Sequence, residues 1–93
     1  MAVVGAGLIG TGQAEYLDVM LEGGHTYSFS VHPSEESVDF DLHIYDQNGN
    51  LVAWDESTAA DAYGVVTPII TGPFRIVVNA AEGMSTYQVE VVG

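Results

Sequence analysis

The sequence predicts an all-β protein, folded as an antiparallel β-sandwich. Three observations carry this prediction: apolar and polar residues alternate with period two along most of the chain, clusters of turn-forming residues separate the alternating runs, and no segment has convincing helical periodicity. Ninety-three residues suffice for one domain with one modest core. Strands that are apolar on one side only bury that side most simply between two sheets packed face to face.

The elements follow in order. Leu17, Val19 and Leu21 share one face, with Asp18 and Met20 on the other. Gly23 and Gly24 turn the chain into HTYSFSV, where Tyr27, Phe29 and Val31 point inward and Thr26, Ser28 and Ser30 outward. VDFDLHIYD repeats the pattern, with Val38, Phe40, Leu42 and Ile44 inward and Asp39, Asp41 and His43 outward. The Asn-Gly pair in DQNGN is a tight-turn signal leading into LVAW, whose Leu51 is expected in the core. DESTAADAYG is small and polar and reads as a loop, with room for a short helical turn near Ala59 and Ala60. VVTPI offers a short strand in which Pro68, lacking an amide donor, belongs at an edge or an irregular position. FRIVVNA then turns Phe74, Ile76 and Val78 inward, and TYQVEVV does the same with Tyr87, Val89 and Val91, for six or seven strands in all. Residues 1–12 read as a lead-in or exchangeable strand before a sandwich domain at 13–93.

The opening segment contains GAGLIG, with Gly5, Gly7 and Gly10 at the spacing of a dinucleotide-binding loop. Such a loop needs a strand before it, a helix after it, and an acid at the end of the next strand for the ribose. Here the strand would be only AVV. Reading QAEYLDVMLEGG as the helix leads to HTYSFSV, which ends at Val31, His32 and Pro33 rather than at an acid. No nucleotide cofactor is expected.

Charge narrows the partners. Thirteen Asp and Glu face a single Arg75 and no Lys, for a net charge of −12. A surface of that sign repels nucleic acid and anionic membranes, and remains compatible with divalent cations, basic partners or high salt. No run reaches the roughly 18 apolar residues of a membrane span, and the N-terminus lacks the basic-then-apolar pattern of a signal peptide, as an excised secreted domain would. The absence of cysteine removes disulfides, thiolate metal sites and cysteine nucleophiles.

Among chemistry-bearing residues, DQNGNLVAWDES places Asp46, Asn48 and Asn50 at alternate oxygen-donor positions, but Leu51 and Ser57 stand where an EF-hand needs Gly and Glu. A calcium site of another kind could be built from some of Asp39, Asp41, Asp46, Asp55, Glu56 and Asp61. The alternative is that these carboxylates are solvated or shape turns. His25, His32 and His43 lack metal-ligand spacing and read as ordinary strand or turn residues. No GxSxG elbow is present, and Asp39 and Asp41 share one strand face instead of opposing each other across a cleft, so an enzyme is not expected. Arg75 reads as the ion-pair partner of a neighbouring acid. Trp54 is either a half-buried core ring or an exposed ring that contacts a partner.

The ordered segments GQAEYLDVMLEGGHTYSFSV, VDFDLHIYDQNGNLVAWDES and TGPFRIVVNAAEGMSTYQVEV resemble the bacterial pre-peptidase C-terminal domain, which is related to the collagen-binding modules of clostridial collagenases. The resemblance covers roughly residues 8 to 93. It implies a jelly-roll-like β-sandwich that is secreted or displayed at the cell surface, attached to proteases or other hydrolases, and non-catalytic. The implied role is support of secretion, solubility or attachment to an extracellular protein or polymer. The aspartates matching Asp39, Asp41 and Asp46 belong to that family's characteristic strand and turn. Some collagen-binding relatives hold calcium through an acidic N-terminal segment, whereas AVVGAGLIGTGQ here has no carboxylate. A second expectation comes from that apolar segment: it could add a strand to a copy of the chain, making a self-assembling extracellular subunit, with calcium neutralising the contacts.

Overall fold

The computed structural model describes residues 2–93; Met1 of the segment 1–12 lies outside them. Eight strands form: β1 (Ala2–Ile9), β2 (Ala14–Leu21), β3 (Tyr27–Pro33), β4 (Asp39–Tyr45), β5 (Leu51–Asp55), β6 (Ala62–Val66), β7 (Gly72–Glu82) and β8 (Ser85–Val92). No helix occurs among the described residues. The strands make two four-stranded sheets, ordered β1-β8-β3-β6 and β2-β7-β4-β5, with every neighbouring pair antiparallel. This is the eight-stranded jelly roll, two Greek keys folded face to face. β1 and β2 meet along one side of the sandwich, and β5 and β6 along the other.

The core follows the alternation. Phe29 and Val31 from β3, Phe40, Leu42 and Ile44 from β4, Ile76 and Val78 from β7, and Val89 from β8 are all buried between the sheets. Removing their apolar surface from water is the main favourable contribution to the fold. The Phe40 and Tyr87 rings meet edge to face, with centroids 5.9 Å apart.

Three differences from the sequence reading have local causes. Leu51 is 43% exposed, outside the core. A register shift between Ile44 and Tyr45 pairs Leu51 with the outward-facing Tyr45, leaving Ala53 as the buried apolar residue of β5. β6 begins at Ala62, inside the segment that reads as a loop, and no helical turn forms at Ala59 and Ala60. Two of its three inward residues, Ala62 and Gly64, are small, and large β4 side chains fill the space opposite Gly64, where a Cβ would lie 3.3 Å from Leu42 Cδ2 and 3.5 Å from Ile44 Cδ1. Small inward residues carry little apolar signal, so the strand is faint in sequence. The eighth strand is β1, which lies along β8 of its own chain.

Packing also accounts for two of the three glycines of GAGLIG. Gly5 and Gly7 lie within β1. A Cβ on Gly5 would approach Leu17 Cδ2 to 2.9 Å, and one on Gly7 would collide with the Glu15 carboxylate and lie 2.8 Å from the Tyr87 hydroxyl. No helix follows them to receive a pyrophosphate.

Candidate functional site

The outer face of the β2-β7-β4-β5 sheet gathers the most varied chemistry on the described surface. Alternation sends Tyr16, Asp18 and Met20 outward from β2, Arg75, Val77 and Asn79 from β7, Asp39, Asp41, His43 and Tyr45 from β4, and Trp54 from β5. Register then aligns them across the strands. Tyr16 pairs with Val77, Val77 with His43, and His43 with Trp54, so one row crosses the whole sheet. Its two ends are open to solvent: Tyr16 is 62% exposed and Trp54 57%. Three strand spacings separate them, about 14 Å.

On the β2 side, Arg75 donates from Nε to Asp18 Oδ1 at 2.9 Å and from a terminal nitrogen to Asp18 Oδ2 at 3.2 Å. Its guanidinium carbon also sits 4.0 Å from the centre of the Tyr16 ring. These bonds hold the Asp18 carboxyl below the ordinary carboxylate range and raise the guanidinium still further. The one strong cation of the chain is thereby engaged within its own surface.

The β5 side is acidic. His43 Nε2 lies 3.0 Å from Glu56 Oε2, and Asn79 Nδ2 donates to Asp41 Oδ2 at 3.5 Å. Burial raises the Asp41 carboxyl, and the neighbouring charges of Asp39 and Glu56 add to the rise, against the lowering effects of Asn79 and His43. Asp39 Oδ1 and Asp41 Oδ1 are both shut off from solvent, and neither accepts a hydrogen bond.

The four aspartates singled out in the sequence divide between two settings. Asp39 and Asp41 stand two residues apart on the outer face of β4. Asp46 lies in the β4–β5 turn, where its Oδ1 accepts the amides of Asn48 and Asn50, both at 2.9 Å. The Asn50 amide holds its carboxyl low, with the Asn50 side chain and the Asn48 amide assisting against desolvation. Asp55 ends β5 and accepts the amides of Ser57 at 2.9 Å and Tyr63 at 3.0 Å, the latter from β6 of the other sheet. Burial by itself would raise the Asp55 carboxyl, but the Ser57 and Tyr63 donors outweigh it and hold the carboxyl low. Among the described residues no three His, Cys, Asp or Glu side chains gather in a metal-holding arrangement. The three histidines lie apart, each beside a different carboxylate: His25 by Glu22, His32 by Asp61 and His43 by Glu56.

Trp54 is thus exposed and lies outside the core. Tyr16, His43 and Tyr45 join it on the same face, and only the pairing of distant strands reveals this grouping. Elsewhere, the β6–β7 loop and β5 frame an apolar groove of about 420 Å³ that includes Val52, Val65, Pro68, Ile69 and Ile70. No protein-family model matches the chain, and the comparison with curated proteins yields no significant match.

Proposed function

We propose that this chain is a non-catalytic accessory module of an extracellular protein, which holds an extracellular protein or polymer with the outer face of the β2-β7-β4-β5 sheet. The observation that carries the reading is the row from Tyr16 to Trp54, with an exposed aromatic ring at each end. Tyr and Trp supply large contact areas for few rotatable bonds, and they concentrate where partners dock. The strands beneath fix the backbone from which both rings project, so the cost of ordering on contact falls on two side chains of few rotatable bonds. Similarity of the ordered segments to the pre-peptidase C-terminal domain supports the same role and a secreted or cell-surface location.

The test is retention on insoluble polymers. A fusion of the module to a fluorescent reporter is expected to remain on one or more of collagen fibrils, chitin and cellulose, and a Tyr16→Ala/Trp54→Ala variant is expected to wash off. Equal retention of variant and parent, with both folded, would overturn the assignment of this face.

A second reading, self-assembly, is favoured by one observation. β1 is an edge strand with no charged residue in AVVGAGLI, whereas the other sheet's edge strand β2 carries Glu15 and Asp18. Uncharged edges invite strand addition. Mass measurement in solution across concentration, with and without calcium, tests it; a monomer throughout would remove this reading.

A further inference from the structure

The two edge strands of the β2-β7-β4-β5 sheet carry matching outward pairs near opposite ends of the aromatic row. On β2 the pair is Tyr16 with Asp18; beside β5 it is Trp54 with Glu56 just past the strand end. The first pair is already filled, by Arg75 reaching across from β7 to lie over the ring while bonding both carboxylate oxygens. At the second pair the adjacent strand presents His43, which meets Glu56 Oε2, and among the described residues the cation lying over a ring is Arg75 on Tyr16, not one on the exposed Trp54. Asp41, two residues before His43 on the same face of β4, accepts a long bond of 3.5 Å from Asn79 at its Oδ2, while the Oδ1 atoms of Asp39 and Asp41 are closed to solvent and to a partner alike. Among the described residues no guanidinium or ammonium side chain is left for this site: the one Arg is committed to Asp18, and the sequence has no Lys.

We infer that the Trp54 side of this face docks an arginine-bearing segment of a protein partner, with a guanidinium on the Trp54 ring and its N–H groups directed to Glu56 and Asp41. The inference rests on the binding-face reading above and specifies its ligand. Arginine fits better than lysine, because a planar guanidinium stacks on an aromatic ring and donates to carboxylates at once, as Arg75 does on β2. The net charge of −12 speeds the approach of such a segment.

Trp54 is the single tryptophan, so its emission reports on this site alone. The probe is a capped Gly-Arg-Gly-Arg-Gly peptide, titrated beside versions with lysine or citrulline in place of arginine. The expected result is a saturable change in emission with the arginine peptide, binding about fivefold or more tighter than the lysine peptide, and no response to citrulline. Glu56→Gln and Asp41→Asn should each weaken arginine binding, while Glu35→Gln/Glu36→Gln, remote from the row, should leave it unchanged. Equal binding of the arginine and lysine peptides, or equal losses in the near and remote variants, would reduce the effect to general attraction by a polyanion and overturn the inference. Retention on a neutral polymer through Tyr16 and Trp54 without any arginine response would also overturn it, while leaving the binding-module reading intact.

Discussion

The Tyr87 hydroxyl donates to Glu15 Oε1 at 2.7 Å, joining β8 of one sheet to β2 of the other beneath Gly7 of β1. Tyr87→Phe removes the donor from a partly enclosed, charge-assisted bond and is expected to cost about 1–2 kcal/mol. Gly7→Ala should cost a comparable amount, because its methyl would occupy the space of the Glu15 carboxylate. Since both changes break the same contact, the double variant should lose less than the sum of the two. Urea denaturation of the three variants tests this, and a neutral Gly7→Ala would show that the Glu15 and Tyr87 side chains move aside and keep their bond. Desolvation, followed by the Glu15 bond and charge, pushes the Tyr87 phenol well above its ordinary value. A raised folded-state value favours the fold fully below the unfolded phenol's value, about 10. The contribution falls as pH rises beyond that, and Tyr87→Phe should flatten this part of the stability profile.

Asp41 is the carboxylate whose charge the fold resists. Its value is raised, first by burial and then by Asp39, so its contribution to stability is present in acid and lost as pH rises through its folded-state value. Asp41→Asn should therefore stabilise the protein at neutral pH by about 0.5 kcal/mol, the scale of a relieved like-charge pair, or ~2–4 °C in a domain of this size. The gain should shrink at low pH. Calorimetry at neutral and acid pH checks both parts, and a destabilised variant at neutral pH would contradict them.

Asp46 and Asp55 have the opposite sign. Their carboxyls are held low, so their contribution is present above the ordinary carboxylate range, about 4, and is lost as pH falls through the lower folded-state values. Asp55→Ala leaves the Ser57 and Tyr63 amides without their acceptor and should cost about 1 kcal/mol, allowing for solvent at this edge. Hydrogen exchange should quicken at Tyr63 and along β6. Asp46→Ala should quicken exchange at Asn48 and Asn50 instead, with little effect on β6. Identical exchange patterns in the two variants would show that the turn and the β5–β6 side open as one unit.

The dispersal of Asp39, Asp41, Asp46 and Asp55 bears on divalent ions. For protein stripped with chelator, calcium and magnesium at matched ionic strength should raise the unfolding midpoint alike, by screening a surface of net charge −12. Differential scanning calorimetry separates the cases. A saturable rise with calcium well beyond that with magnesium, abolished in Asp41→Asn, would assign a calcium site to this strand.

Much of the fold was legible because a half-buried strand writes its orientation into every second residue. Phe29, Phe40, Ile44, Ile76 and Val89 are inward in sequence and buried in the structure. The departures occur where that pattern carries no information: at Leu51 beside a register shift, and in β6, whose inward Ala62 and Gly64 are small, Gly64 facing Leu42 and Ile44. The individual members of the candidate face could be read as outward residues, but their grouping could not.

The sequence by itself determined an all-β chain, the faces of most strands, the places of the main turns and a surface almost without cations. Alternation, turn chemistry and charge are local properties, and each can be read within a few residues. Only the tertiary structure decided that Tyr16 and Trp54 terminate one row, that Arg75 fills the site of Tyr16 and Asp18, and that Asp46 and Asp55 serve the backbone. Those relations depend on strand order and register between segments as much as 61 residues apart, as Tyr16 and Val77 are, and the packing of the whole sandwich sets that register.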